Sequence, residues 1–301
     1  MTTIYEDIAA NRRRTWLLML LFVVLVAVVV ELIALALGGG YVAGILTLIF
    51  AGLFVTFSYY SASSMVLGIS QAREVTHDEN PDLYNTVENL CIGAGLPVPK
   101  IYIINDTAPN AFATGRDPQH AAIAVTSGLL QKMDKLELEG VIAHELSHVK
   151  NYDIRVMTLV VVLVGLLALL ADFMLRFTWF GAGRRPSNRG RGEGLAGAVI
   201  LLVALVAAIV APLAAQLIKF AISRQREYLA DASGALLTRY PEGLARALEK
   251  IAADKEPLEV ANKATAHLYI ANPLKWHKSW ANNLFSTHPP IEERIRRLRS
   301  V

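Results

Sequence analysis

Val141-Ile-Ala-His-Glu-Leu-Ser-His-Val149 carries the spacing His-Glu-x-x-His at His144, Glu145 and His148. On a helix, residues four apart project from one face, one turn from each other. Two imidazoles so placed can grip one divalent ion, and Glu145 sits beside them, ready to take a proton from the attacking water. The pattern needs a helix, and the flanks supply one. Asp134 and Glu137 form a capping-box-like start, and Leu136, Leu138, Val141, Ile142 and Leu146 give an apolar face. The plainer alternative is two histidines on a helix face with a carboxylate nearby.

Outward from this stretch the chain is strongly apolar. It has 301 residues, 54% of them hydrophobic, and a mean hydropathy of +0.40. Both values exceed those of an ordinary soluble domain and predict membrane segments. A formal net charge of +3 with no basic-aromatic stripe argues against nucleic acid as a partner. Cys91 is the sole cysteine, so no intramolecular disulfide forms, which fits a reducing compartment.

Four apolar runs are expected. Trp16 to Leu37 follows Arg12, Arg13 and Arg14 and is broken only by Glu31. It is too long for a typical signal-peptide core and lacks a small-residue cleavage site, so it reads as an uncleaved anchor. Glu31 is assigned no role. After Gly38-Gly39-Gly40, a second run extends from Tyr41 to about Leu67, with Tyr59 and Tyr60 as interfacial aromatics. The third run is Val156 to Leu175 and the fourth Leu195 to Ile218, joined by a Gly/Arg-rich linker from Gly181 to Gly194. Two transmembrane hairpins result, and the motif helix lies close to the membrane surface.

Four spans put both soluble segments on one side. Arg12 to Arg14, Lys219, Arg224 and Arg226 favour the cytoplasm for that side. The linker arginines, Arg184, Arg185, Arg189 and Arg191, conflict with this if the second hairpin fully spans. Between the hairpins, Asn80-Pro81-Asp82 starts a helix that ends between Gly93 and Pro99. Lys100–Ile104, Asn110–Gly115 and Ala121–Thr126 read as three strands of a small antiparallel sheet. The expected division is residues 1–67 as the first hairpin, 68–154 as the first catalytic part, 155–220 as the second hairpin and 221–301 as the second catalytic part.

A catalytic zinc ordinarily takes three protein ligands. Ser223-Arg-Gln-Arg-Glu-Tyr-Leu-Ala-Asp231 offers Glu227 as the third, with Asp231 four residues on, placed to hold the outer nitrogen of a ligand histidine. The competing reading is a solvated charged helix just past a membrane span.

Four elements together resemble the HtpX-like membrane metalloproteases of the M48 class, relatives of the CAAX-processing Ste24 proteases. They are His-Glu-Leu-Ser-His followed by Asn-x-Asp, Ser-Arg-x-Arg-Glu-Tyr-x-Ala-Asp, Pro-Asn-Ala-Phe-Ala-Thr-Gly at Pro109 to Gly115, and Ser-Thr-His-Pro-Pro-x-x-x-Arg-Ile at Ser286 to Ile295. The likeness covers nearly the whole chain and extends, more distantly, to thermolysin-type zincins. It implies an α-rich α+β membrane protein: four transmembrane helices in two hairpins plus a zincin-like catalytic domain. It also implies one Zn²⁺ per chain, held by His144, His148 and Glu227, with Glu145 as general base and Asp231 orienting a histidine.

By the same resemblance, Asn110, Ala111 and Phe112 form the edge strand that binds substrate backbone. His288 and Arg294 either stabilise the transition state and bind substrate or pin the terminal helix. The implied activity is zinc-dependent endopeptidase action on misfolded or damaged membrane proteins, a quality-control role at the cytoplasmic membrane. A prenyl-protein protease and a non-catalytic membrane scaffold are the alternatives. The expected partners are polypeptide substrates and the lipid bilayer, and a homo-oligomer is compatible with the sequence.

Overall fold

The structure, a computed structural model, describes residues 41–165, 224–261, 265–271 and 289–300, residue 172, and scattered positions of the first apolar run between 13 and 31. Helix α1, Tyr41–Ile69, has 29 residues. At 1.5 Å per residue it is about 43 Å long, more than a bilayer core of roughly 30 Å requires. Its Phe50, Leu53 and Phe57 side chains are each more than 60% exposed, whereas Val66 and Leu67 near its end are buried in the domain that follows.

Strand β1, Arg73–Glu74, leads to α2, Pro81–Ala94. Asn80 caps that helix by accepting from the Leu83 N–H, Pro81 occupies its first turn, and Gly95 ends it at φ +68°, where a side chain would be strained. Strands β2 (Lys100–Ile104), β3 (Ala111–Gly115) and β4 (Ala121–Thr126) follow. Next come the short α3, Ser127–Lys132, and the motif helix α4, Lys135–Lys150. Residues 153–165 are helical (α5). After the insert come α6 (Arg224–Thr238), α7 (Pro241–Ala253) and α8 (Ile291–Leu298).

The sheet departs from the expected antiparallel arrangement. Its order is β1-β2-β4-β3, with β2 and β4 parallel and the outer pairs antiparallel. The chain leaves β2, makes β3, and folds back through a short helical turn so that β4 inserts between them. This mixed sheet leaves β3 at an edge. Both faces are covered, and the side-chain period of two divides them. Ala111, Ala113, Ile123 and Val125 pack with Val141, Ile142 and Leu146 of α4 and Leu244 and Leu248 of α7. Phe112, Ala122 and Ala124 face the other way, against Val66 and Leu67 of α1 and Met157 and Val161 of α5. The sheet therefore separates a layer containing α4 and α7 from a layer containing α1 and α5.

Among the described residues one helical stretch, Gly52–Ile69, is long and apolar enough to cross a membrane. Most of the first run, the third run from residue 166 apart from residue 172, the linker and the whole fourth run lie outside the described residues, so the four-span expectation does too.

Candidate metal centre

Helix α4 starts from a complete capping box. Asp134 accepts from the Glu137 N–H at 2.9 Å and Glu137 accepts from the Asp134 N–H at 2.8 Å. Lys250 of α7 then donates to the buried Glu137 carboxylate at 2.6 Å, tying the two helices together. Close backbone approach fixes their spacing. A Cβ on Gly140 would lie 2.6 Å from the Leu244 nitrogen, and one on Gly234 of α6 would lie 3.0 Å from the His144 nitrogen. Gly234 thus lets α6 rest directly on the motif. One turn and two turns back along α6 sit Asp231 and Glu227.

His144, His148 and Glu227 are all buried, and one ligand atom from each lies within 4.8 Å of the others. The two Nε2 atoms are 3.3 Å apart. Glu227 presents one carboxylate oxygen 3.8 Å from His144 Nε2 and the other 3.6 Å from His148 Nε2. Each imidazole is held from behind through Nδ1: His144 by Asp231 at 3.0 Å, His148 by Asp153 at 3.2 Å. A carboxylate on Nδ1 selects the tautomer whose Nε2 lone pair is free to bind a metal. Buried Glu145 accepts from the Ala113 N–H of β3, while its Oε1 has no hydrogen-bond partner. An orphaned carboxylate oxygen beside two converging nitrogens and a carboxylate fits a cation with a water between it and Glu145.

The electrostatics follow from burial and pairing. Burial raises the Glu145 pKa to about 7, with Glu227 adding to the effect and His148 and the Ala113 N–H opposing it. Burial lowers that of His144, more than Asp231 restores. Burial would lower His148 too, but Asp153, Glu227 and Glu145 outweigh it and push the value up to about 9. Burial works against ionised Asp231, yet Arg294 and His144 hold its pKa down at about 2.

The profile of Peptidase family M48 matches residues 77–301. The chain belongs to that family. It is 50% identical over 303 residues to the protease HtpX homolog of Dictyoglomus thermophilum, covering 99% of this chain and 95% of that one. It is 46% identical over 306 residues to the protease HtpX homolog of Tropheryma whipplei (strain Twist), covering 99% and 98%. The crystal structure of S. mikatae Ste24p matches with a TM-score of 0.49 and 17% identity, covering 95% of this chain and 66% of that one, just under two thirds of its length. By the family model and the HtpX relatives, this M48 chain is a metalloprotease that cleaves polypeptides.

Within this M48 site the other expected residues fall differently. Arg294 is fully buried. Its Nε and one terminal nitrogen donate to the two Asp231 oxygens at 2.8 and 2.7 Å, and its other terminal nitrogen donates to the Ile270 carbonyl at 2.8 Å. Among the described residues this guanidinium braces Asp231 and ties α8 to the interior, the arrangement expected of the helix-pinning alternative. Asn110, Ala111 and Phe112 do not offer a free edge in this structure. Asn110 donates to the Ala271 carbonyl, Ala111 accepts from the Ile270 N–H at 3.0 Å, and Phe112 meets Tyr269 edge to face at 5.1 Å. Residues 265–271 therefore cover the start of β3. His288 lies outside the described residues.

Two residues were given no part in the metal centre by the sequence reading. Asp153 holds His148, and Arg226 of α6 ion-pairs with Asp153. A turn through Asn151 and Tyr152, the latter at φ +58°, brings Asp153 back onto the helix it has just left. The signal was the Asn-x-Asp after the second histidine.

Proposed function

We propose that this M48 protease is a zinc endopeptidase of the cytoplasmic membrane that degrades misfolded or damaged membrane proteins on the cytoplasmic side. The observation that carries the catalytic part is the convergence of His144, His148 and Glu227 beside the unpartnered Glu145 oxygen. Two imidazoles and one carboxylate form a zinc-like donor set. When bound, zinc supplies Lewis acidity that polarises the scissile carbonyl and acidifies water. Glu145 takes the proton from the attacking water at Oε1 and delivers it to the leaving amine. The Ala113 N–H holds the other side of that carboxylate, so the base sits against β3, along which we place the substrate backbone, past Ala111. We keep His288 as a candidate transition-state group, and the division into residues 1–67, 68–154, 155–220 and 221–301 as the domain plan.

The membrane part rests on the apolar runs and on α1, whose apolar side chains are exposed over most of its length. Large apolar exposure of that kind needs a lipid or protein cover. Glu145→Gln is expected to keep a full equivalent of zinc by elemental analysis. It should lose about 10²- to 10⁴-fold in peptide hydrolysis, the usual range for removing a general base. Wild-type turnover by that variant would remove Glu145 from the mechanism, and absence of metal from the active protein would remove zinc.

A further inference from the structure

A cavity of about 290 Å³ lies on the far side of the sheet from the metal centre, between α1, the start of α5 and the ends of β2 and β4. That volume sits at the lower end of small-molecule sites, roughly 300–1,000 Å³, and suits a polar headgroup better than a whole lipid. Its wall combines the Tyr59, Tyr60, Ser63 and Ser64 side of α1 with Arg116 and Arg155. The mechanism uses none of these residues.

The charges in this wall do not balance. Lys100 is matched by Glu74 at 3.1 Å. Asp117 serves both Arg116, at 3.6 Å, and His120, at 2.6 Å. Arg155 donates through Nε to the Arg116 carbonyl and lies over the Tyr152 ring at 5.1 Å, but no carboxylate reaches it among the described residues. Arg116 stands over the Tyr60 ring, 5.2 Å from its centroid. The aromatic contacts orient both guanidinium planes and leave donors for an anion.

We infer that this cavity binds the phosphate of an anionic phospholipid headgroup. The inference rests on the reading of α1 as a membrane helix. Three features support that choice of ligand. Arginine forks match phosphate oxygens in bidentate geometry. Tyrosines belong at the headgroup level of a bilayer. Basic pockets beside membrane helices on the cytoplasmic side are where anionic headgroups dock. The bound lipid would clamp α1 and α5 to the sheet, so the catalytic layer would keep a fixed distance from the bilayer.

The test uses the full chain in nanodiscs of phosphatidylcholine with phosphatidylglycerol, with retained lipid counted by mass spectrometry after delipidation in mild detergent. Wild type is expected to retain phosphatidylglycerol, and Arg155→Ala and Arg116→Gln to retain roughly tenfold less, a loss of one charge-assisted pair. Millimolar inorganic phosphate should not displace the lipid. Arg155→Lys, which keeps the charge and guards against a folding failure, should retain an intermediate amount with an unchanged melting temperature and metal content. Equal retention by wild type and the folded variants would overturn the inference, and displacement by phosphate would overturn the lipid assignment. Alkaline extraction of wild type from membranes tests the parent reading separately. Release of the protein there would overturn the membrane reading itself, whatever the lipid counts.

Discussion

The two histidines of the metal centre are supported by the same chemistry in two different settings. Behind His144 stands Asp231, and behind Asp231 the fully buried Arg294, which holds both carboxylate oxygens. Behind His148 stands Asp153, and behind Asp153 stands Arg226, whose side chain is 15% exposed. Each is an imidazole–carboxylate–guanidinium series with a buried carboxylate, but the guanidinium of the first is fully enclosed among α4, α6 and α8, while that of the second, where α4 turns into α5, is partly exposed. The same three groups should therefore serve stability on one side and metal affinity on the other. Loss of the first carboxylate would leave Arg294 as an uncompensated buried charge, whereas Arg226, partly exposed, keeps access to water when it loses Asp153.

The largest effect is expected from Asp231→Ala. It strands Arg294 without its partner in the interior, at a cost of about 3–5 kcal/mol. Thermal melting should drop sharply and metal should be lost with the fold. A well-folded, metal-replete Asp231→Ala would break the comparison. Asp153→Asn should come next, lowering zinc affinity by about 10- to 100-fold in chelator competition while leaving melting of the metal-free protein nearly unchanged. Arg226→Ala should lie below it, since His148 keeps its carboxylate.

The smallest effect is on pH dependence. In the metal-free protein His148 holds its proton up to about 9, while His144, lowered by burial, is already neutral. Metal uptake near neutral pH must then displace one proton from this pair. Apparent affinity should rise about tenfold per pH unit and level off above about 9. Asp153→Asn removes the partner that raises His148, so the plateau should begin at lower pH. A slope of two protons from the histidines would mean that both are raised and would erase the difference between them.

The motif helix of this centre was legible because its residue types have few uses at their spacing. His-Glu-x-x-His on a capped helix leaves little but a metal, whereas Glu227 and Asp231, whose spacing also suits a solvated charged helix, were singled out by the resemblance of their whole segment to the family. The mixed order of the sheet was not legible, because strand propensity says nothing of direction. It depends on the tertiary pairing of β4 with both β2, in parallel, and β3, antiparallel. For Arg294 the sequence left two readings open, contact with substrate or pinning of the terminal helix, because a motif near the chain end does not say which way its side chains turn. Only the tertiary position of α8 shows that the interior uses every edge of its guanidinium. Asp153 was missed for the opposite reason: five residues past His148, it leaves the helical period and returns through a left-handed turn at Tyr152.

Arg294 lies 150 residues downstream of His144, yet the two are within 3.4 Å in the folded chain. Since chains emerge amino end first, the histidine pair leaves the ribosome long before its brace has been translated. The support behind His144 is thus complete only once the carboxyl-terminal helix has been made.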